Sequence, residues 1–173
     1  MKKNLALFFT MAILLTGCDW IGGLFTRDIS TDLEVDIPVN VVASKSTSEI
    51  AAVPYESTET LSLADNDDLA EHLENIKEIN LNDVRVSVGG LTSGQVVTTL
   101  SVLDGTNVIA THSNITPETG LFSPDFVNQD NLYKAADKLL EVGEIELTVS
   151  GNVDGPMAFL VHLTFDATIK AGL

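Results

Sequence analysis

The chain has 173 residues, of which 45% are hydrophobic, and its 25 acidic residues outnumber its nine basic ones to give a formal net charge of −16. An acidic surface repels nucleic-acid phosphates and anionic lipid headgroups, which argues against a nucleic-acid partner and against membrane binding through a basic patch. The hydrophobic content is typical of a packed core and not of a disordered chain. Because Cys18 is the only cysteine, no internal disulfide can form, and stability must come from burial and backbone hydrogen bonds.

The start of the chain, over residues 1–17, has the features of a secretory signal peptide. Lys2 and Lys3 give a positive start, and an apolar run follows from Leu5 to Leu15. This run is too short to cross a bilayer, which takes about 20 residues. Small residues follow it, as they do before a signal cleavage site.

The end of this segment, Leu15-Thr16-Gly17-Cys18, resembles the lipobox of bacterial lipoproteins. The resemblance covers residues 1–18 only, and we recognise no family for the remaining domain. It implies that the sulfur of Cys18 receives a diacylglyceryl group, that the leader is cut before Cys18 and that the new amine is acylated. The implied location is a bacterial cell membrane, where the protein faces the periplasm or the cell exterior and is held by fatty chains such as palmitate.

Asp19, directly after the cysteine, resembles an inner-membrane retention signal of enteric-type lipoproteins. Other bacteria follow different rules, so the choice between inner and outer membrane stays open. The alternative to lipidation is an ordinary signal peptide followed by an unmodified cysteine. Lipidation is favoured because it explains the position of Cys18, its lack of a disulfide partner and the small residues before it.

Residues 18–31 are predicted to be the lipidated cysteine and a tether. Without residues 1–17 the chain keeps seven basic and 25 acidic residues, a net charge of −18, so we expect the domain to stand off the bilayer. Trp20, Ile21, Leu24 and Phe25 make the tether apolar. These side chains suit the membrane interface, where amphipathic rings prefer to lie, or they pack back onto the domain, and the sequence favours neither.

Residues 32–173 are predicted to form a single domain, which opens with three strands. Apolar and polar residues alternate over 32–43, which predicts a half-buried strand, and Pro38 indicates that this strand lies at a sheet edge or has the proline nitrogen facing outwards. A second strand is expected over 53–63 and a third over 77–90. In the third, the apolar parity changes at Asn82-Asp83, which predicts a β-bulge.

The second half of the domain continues the strand pattern. Strands over 95–103 and 107–113 are joined at Gly105, and a loop-rich segment covers 114–128. The closing hairpin comprises a strand over 145–149, a turn over 151–156 and a long last strand over 157–169.

Two short helices complete the predicted elements. The first is expected from Asp67 to Ile76 after the cap Asn66, and its apolar face comprises Leu69, Leu73 and Ile76. The second is expected from Gln129 to Val142, and its apolar face comprises Leu132, Ala136, Leu139 and Leu140. About seven strands with hairpin-type turns predict a mainly β fold, an antiparallel β-sandwich of immunoglobulin-like or similar type with two short helices.

No catalytic or cofactor motif stands out, so we do not expect an enzyme or a cofactor. His72, His112 and His162 lack metal-ligand spacing, no GxSxG occurs, and the glycine pairs lack phosphate-loop spacing. The weak metal candidate is a calcium site at Asp65, Asp67 and Asp68, although helix capping explains the same residues.

The sequence therefore favours a membrane-anchored envelope lipoprotein that is a non-enzymatic structural or binding module with an unknown protein partner. The alternative is a carrier or sensor of an apolar ligand or lipid in the cell envelope. A dry apolar cavity of about 300 Å³ or more would favour the carrier, and a filled core would favour the module.

Overall fold

The computed structural model describes residues 26–42 and 52–172, so the predicted signal peptide, Cys18 and residues 19–25 of the predicted tether lie outside the described residues. Within the described ranges the chain forms nine strands, one α-helix and two 3-10 turns. The strands are β1 Thr26–Val41, β2 Val53–Ser62, β3 Ile76–Gly89, β4 Val97–Asp104, β5 Asn107–Ile115, β6 Leu121–Phe122, β7 Phe126–Val127, β8 Glu144–Val153 and β9 Met157–Gly172. The helix α1 is Gln129–Val142, and the 3-10 turns are Leu63–Asp65 and Leu73–Asn75.

The strands form two sheets, ordered β1-β9-β3-β6 and β2-β8-β4-β5-β7, and neighbouring strands are antiparallel. The antiparallel β-sandwich predicted from the sequence is thereby confirmed. The pairing is nested along the sequence: β1 pairs with β9, β2 with β8, β3 with β6 and β4 with β5. This nested order is that of a jelly roll, which is built from two Greek keys, and not that of an immunoglobulin domain.

The longest ladder joins β1 to β9 and sets the register of the first sheet. It runs without a shift from Thr26 opposite Gly172 to Val41 opposite Met157. The odd-numbered side chains of both strands supply the buried apolar residues of this sheet. The first strand begins before its predicted start, because Ile29 continues the buried series opposite Ile169. Residues 26–31 of the predicted tether are therefore strand.

The β-bulge predicted in the third strand is confirmed. The pairing of β3 with β9 shifts register between Leu81 and Asp83. Leu81 before the shift and Val84 after it are both buried, so the extra residue returns the apolar series to the core.

The second helix is confirmed at its predicted bounds. The side-chain oxygen of Asn128 accepts a hydrogen bond from the backbone N–H of Asn131 at 3.2 Å. At the other end, Gly143 has a φ of 85° and its N–H donates to the carbonyl of Leu139 at 2.8 Å. Such caps satisfy backbone groups that a helix end leaves unpaired. The buried face packs against β3, β8 and β5, and consists of Leu132, Ala135, Ala136 and Leu139.

The first predicted helix, Asp67–Ile76, is wrong. This segment is a run of turns that closes with the 3-10 turn Leu73–Asn75, and Ile76 already belongs to β3. Its backbone bonds span three residues, as from the N–H of His72 to the carbonyl of Leu69 at 2.8 Å. The side chain of Asn66 explains the difference, because it donates to the carbonyl of Asp32 at 2.9 Å and ties the segment to β1. This contact and those of Asp68 with Thr31 and Asn66 hold the connection between β2 and β3 in turns instead of a continuous α-helix.

Candidate functional site

Two surface features of the described residues could carry function. The first, which we call the polar face, is the outer side of β1, β9 and β3, where side chains lie in rows across the three strands. The second, which we call the end groove, lies at the end of the sandwich where β1 begins and β9 ends.

The polar face is strongly acidic because strand alternation sends its polar residues outwards. One row consists of Asp28, Lys170 and Glu78. The Nζ atom of Lys170 donates to Oε2 of Glu78 at 2.6 Å. This hydrogen bond, with a second one from the amide of Asn80, lowers the pKa of the Glu78 carboxyl, and the same contact raises the pKa of Lys170. The acidic members of the face are Asp28, Asp32, Glu34, Asp36, Glu78, Asp83 and Asp166.

Three aspartates form a single row on this face. Asp166 of β9 is the register partner of both Asp32 in β1 and Asp83 in β3. Like charges directly opposite each other across strands are destabilising. Arg85 reduces this repulsion with two hydrogen bonds to the carboxylate of Asp32 at 2.9 and 3.0 Å, and the amide of Asn82 donates to Asp166 at 2.9 Å.

His162 lies further along β9, the middle strand of the polar face. Its Nδ1 lies 2.7 Å from Oδ1 of Asp36, and its Nε2 lies 3.2 Å from Oγ1 of Thr164 and 3.9 Å from Oε1 of Glu34. The hydroxyl of Thr164, the imidazole of His162 and the carboxylate of Asp36 thus follow one another, as the nucleophile, the base and the orienting carboxylate do in a catalytic triad. The array lies on a flat sheet face, however, and Thr164 is only 5% exposed. β9 is paired on both sides, so its backbone N–H groups are committed to neighbouring strands and cannot stabilise an oxyanion.

The other two histidines lie elsewhere in the fold. The ring of His112 stacks on Phe122 with centroids 4.1 Å apart. Its Nδ1 is 3.2 Å from Oδ1 of Asp125 but is not aligned for a hydrogen bond. His72 lies just before the 3-10 turn Leu73–Asn75. The three histidines therefore occupy separate parts of the fold, and His162 lies on the side of β9 opposite its apolar side.

The calcium candidates Asp65, Asp67 and Asp68 lie in the connection between β2 and β3. Over residues 26–42 and 52–172, no group of three or more His, Cys, Asp or Glu side chains could hold a metal ion. The carboxylate of Asp68 instead accepts a hydrogen bond from Oγ1 of Thr31 at 3.0 Å, and its backbone N–H donates to the side chain of Asn66 at 3.0 Å. These contacts fasten the connection to β1.

The end groove has a volume of about 430 Å³ and lies between the C-terminal turn of α1 and the connection from β2 to β3. Leu73 and Leu140 at its wall are each 38% exposed, and Val142 is 61% exposed. Sequence reasoning missed this groove because it assigns Leu73 and Leu140 to the core-facing sides of two helices. The residues that line it are Ser62, Leu63, Ala64, Leu73, Ile76, Leu139, Leu140, Glu141, Val142, Gly143 and Glu144.

In the described part of the chain, no helix combines the length and apolar character needed to cross a membrane. No protein-family model matches the chain, and no curated protein matches it.

Among solved structures, the chain is similar to the decameric BFDV capsid protein, with a TM-score of 0.39 and 11% identity over 83% of this chain and 99% of that one. It is also similar to a desmodium yellow mottle tymovirus chain, with a TM-score of 0.30 and 8% identity over 85% of this chain and 90% of that one.

Proposed function

We propose that this chain is a lipid-anchored protein of the bacterial envelope whose jelly-roll domain is a non-enzymatic structural or binding module. The observation that carries the proposal is the short distance in sequence between the lipobox cysteine, Cys18, and Thr26, where β1 begins. Eight residue steps span at most about 28 Å when fully extended. An anchor at Cys18 therefore keeps the first end of the sandwich close to the bilayer.

The charge of the domain supports attachment through lipid and not through protein side chains. The connection between β2 and β3, at this same end, carries five acidic residues: Asp65, Asp67, Asp68, Glu71 and Glu74. Carboxylates next to a bilayer are repelled by anionic headgroups. Two or more fatty chains hold a protein stably without help from basic residues.

The polar face supports a module more than an enzyme. Its cationic side chains contact carboxylates on other strands, as Arg85 of β3 contacts Asp32 of β1 across β9 and Lys170 of β9 contacts Glu78 of β3. Such contacts link the three strands along their outer side. A face of this kind suits contact with a protein partner, in which exposed charges steer the encounter.

One observation favours the alternative, a carrier or sensor of an apolar ligand or lipid. The end groove, at about 430 Å³, falls within the range of small-molecule sites, about 300–1,000 Å³. Glu141 and Glu144 line it, however, and they disfavour a fatty acid carboxylate or a phospholipid phosphate. The groove is also open to solvent and its lining is more polar than apolar, so it supports a carrier less than a closed apolar cavity would.

Intact mass spectrometry of the protein purified from its own membranes tests the proposal. We expect a species that begins at Cys18 and carries a diacylglyceryl group and an acyl chain. Cys18→Ser should carry no lipid and leave the membrane fraction, whereas Asp19→Asn, the matched control, should keep its lipid. A native species that retains its leader, or that begins with an unmodified thiol, would overturn the proposal.

A further inference from the structure

A third surface, which we call the hydroxyl face, is the outer side of the five-stranded sheet. Its residues follow from the register of β2, β8, β4, β5 and β7, and they form three rows across these strands. None of these residues is buried, so the described part of the chain leaves the face in contact with solvent. The rows are Pro54, Asn152, Thr99 and Ser113, then Glu56, Ser150, Ser101, Thr111 and Phe126, then Thr58, Thr148, Leu103 and Val108.

The hydroxyl face carries almost no charge, although the chain has a formal net charge of −16. Glu56 is the one charged residue in the three rows, and it lies on the edge strand β2. By contrast, the polar face on the other sheet carries seven carboxylates. Depletion of charge and enrichment of aromatic residues distinguish the centre of a protein interface from the rest of a surface. Phe126 is 54% exposed, and Leu103 and Val108 are half-buried, so the hydroxyl face has the composition of an interface.

The chemistry of the face suits a second copy of this chain. Two strongly acidic molecules repel each other, so they associate best where the facing surfaces are nearly uncharged. Serine and threonine hydroxyls are both donors and acceptors, so they can pair with the same groups of another copy. One such pair already exists within the face, where the hydroxyl oxygens of Thr58 and Thr148 are 2.8 Å apart. A two-fold interface requires a self-complementary surface of this kind.

The size of the face agrees with a weak dimer. Neighbouring strands are about 4.8 Å apart and residues on one side of a strand about 6.8 Å apart, so five strands and three rows cover about 490 Å². Two copies would together bury about 1,000 Å², the lower limit for a specific interface, whereas a standard interface buries about 1,600 Å². We therefore expect association in the micromolar range or weaker.

We propose that two copies of this chain associate through their hydroxyl faces, around a two-fold axis that runs parallel to the strands over β4. This axis places Ser101, in the middle of the middle row, against Ser101 of the partner subunit. It also places Phe126 opposite β2 of the partner subunit. An axis perpendicular to the strands would instead lay β2 on β2 and bring the two Glu56 carboxylates together. Like charges that meet in an interface cost several kcal/mol, so the parallel axis is favoured.

The direction of this axis has a consequence for the anchor, and this consequence rests on the proposed function. Because the axis is parallel to the strands, β1 of both copies begins at the same end of the dimer. Both lipids would then enter the same bilayer, which raises the effective concentration of each copy for the other. The association itself needs no lipid, so it is tested without one.

Sedimentation velocity over a range of protein concentrations tests the proposal. The protein is expressed from its full sequence with Cys18→Ser, which removes the predicted lipidation site and leaves every described residue unchanged. We expect a concentration-dependent shift from monomer to dimer. The shift should become stronger as salt rises from about 0.05 to about 0.5 M, because salt screens the repulsion between two acidic copies.

Two pairs of substitutions locate the interface. Ser101→Asp places two carboxylates at the axis and should raise the Kd of the dimer by about tenfold or more. Ser87→Asp, at a half-buried serine on the outer side of β3, is its matched control and should leave the Kd unchanged. Phe126→Asp should weaken the dimer, whereas Tyr133→Asp on α1 should not, and both side chains are 54% exposed. This exposed pair keeps the test decisive if circular dichroism shows that Ser101→Asp unfolds the domain.

Two results would overturn the proposal. The first is a protein that sediments as a monomer at every concentration up to the millimolar range. The second is a dimer whose Kd is unchanged by Phe126→Asp and by a folded Ser101→Asp variant, which would locate the interface elsewhere. Both results come from protein without lipid, so neither bears on the proposed anchoring. Conversely, a native protein without lipid on Cys18 would overturn the anchoring and leave the dimer standing.

Discussion

Gly151 lies where the β4–β8 ladder leaves no room for a side chain, and Gly151→Ala should destabilise the domain strongly. A Cβ atom at this position would overlap the carbonyl oxygen of Thr99, and would lie 2.7 Å from its carbonyl carbon and 3.0 Å from the hydroxyl of Tyr55. The approach is close because the ladder shifts register between Val97 and Thr99, which brings the β4 backbone over Gly151. Tyr55 donates to the same carbonyl of Thr99 at 3.1 Å.

The cost of Gly151→Ala follows from what would have to move. Extra atoms in a packed region typically cost about 1–3 kcal/mol, and here the obstacle is backbone in a paired strand and not the end of a flexible side chain, so we expect a loss of about 3 kcal/mol. In a domain of this size, 1 kcal/mol lowers Tm by about 2–4 °C, so Tm should fall by roughly 6–12 °C.

Urea and thermal unfolding followed by circular dichroism measure this effect. Gly155→Ala is the matched control, because a Cβ at Gly155 meets nothing within 4 Å and its φ is not in the left-handed region. This control should be neutral or more stable by about 0.4–1 kcal/mol. A Gly151→Ala variant within about 0.5 kcal/mol of the unsubstituted protein, the range typical of surface substitutions, would refute the reasoning. Such a result would show that β4 moves away from β8 at little cost.

Three other substitutions test the polar contacts by the same unfolding assays. Lys138→Met removes the amine that lies 2.7 Å from the buried carboxylate of Asp104 and should cost about 1–3 kcal/mol, whereas the exposed Lys134→Met should change little. Asp166→Asn removes the middle charge of the aspartate row and should stabilise by about 0.2–1 kcal/mol at low salt, and a loss of stability there would contradict the repulsion. Burial raises the pKa of Tyr55, so the folded state keeps a proton that the unfolded chain releases above pH 10. The contribution of Tyr55 to stability is then full below pH 10 and falls as pH rises further, and Tyr55→Phe should weaken that alkaline loss.

Local alternation is enough to predict most of the strands. Inward and outward residues have a period of two whatever the partner strand, so β1, β3 and β9 can be found from their own sequences. The bulge in β3 is predictable for the same reason, because the change of parity is itself local. Pairing is different, since β1 pairs with β9, which lies at the other end of the domain in sequence. No local pattern encodes that choice, and the jelly-roll order is not predictable from it.

The errors of prediction arise where tertiary contacts override local preference. Leu69, Leu73 and Ile76 have helical spacing, but the bond from Asn66 to Asp32 and the early start of β3 impose turns instead. The sequence pattern assigns Gly151 to a turn, but it lies inside β8, where it is required by the backbone of a neighbouring strand. The end groove could not be predicted for a related reason. A pattern of apolar residues does not distinguish a face that other residues cover from one that is left open.

The jelly-roll order gives the domain two chemically different ends, and this difference bears on the proposed anchoring. Strand β1 begins and β9 ends beside the acidic connection between β2 and β3. At the opposite end, the described loops 90–96, 116–120 and 154–156 carry only two acidic residues, Glu118 and Asp154. Repulsion from anionic headgroups acts within about 8 Å at physiological salt, so it would be felt at the first end alone. A lipid at Cys18 would then hold the acidic end near the membrane and turn the nearly uncharged loops towards any partner, an orientation that follows from strand order and charge together.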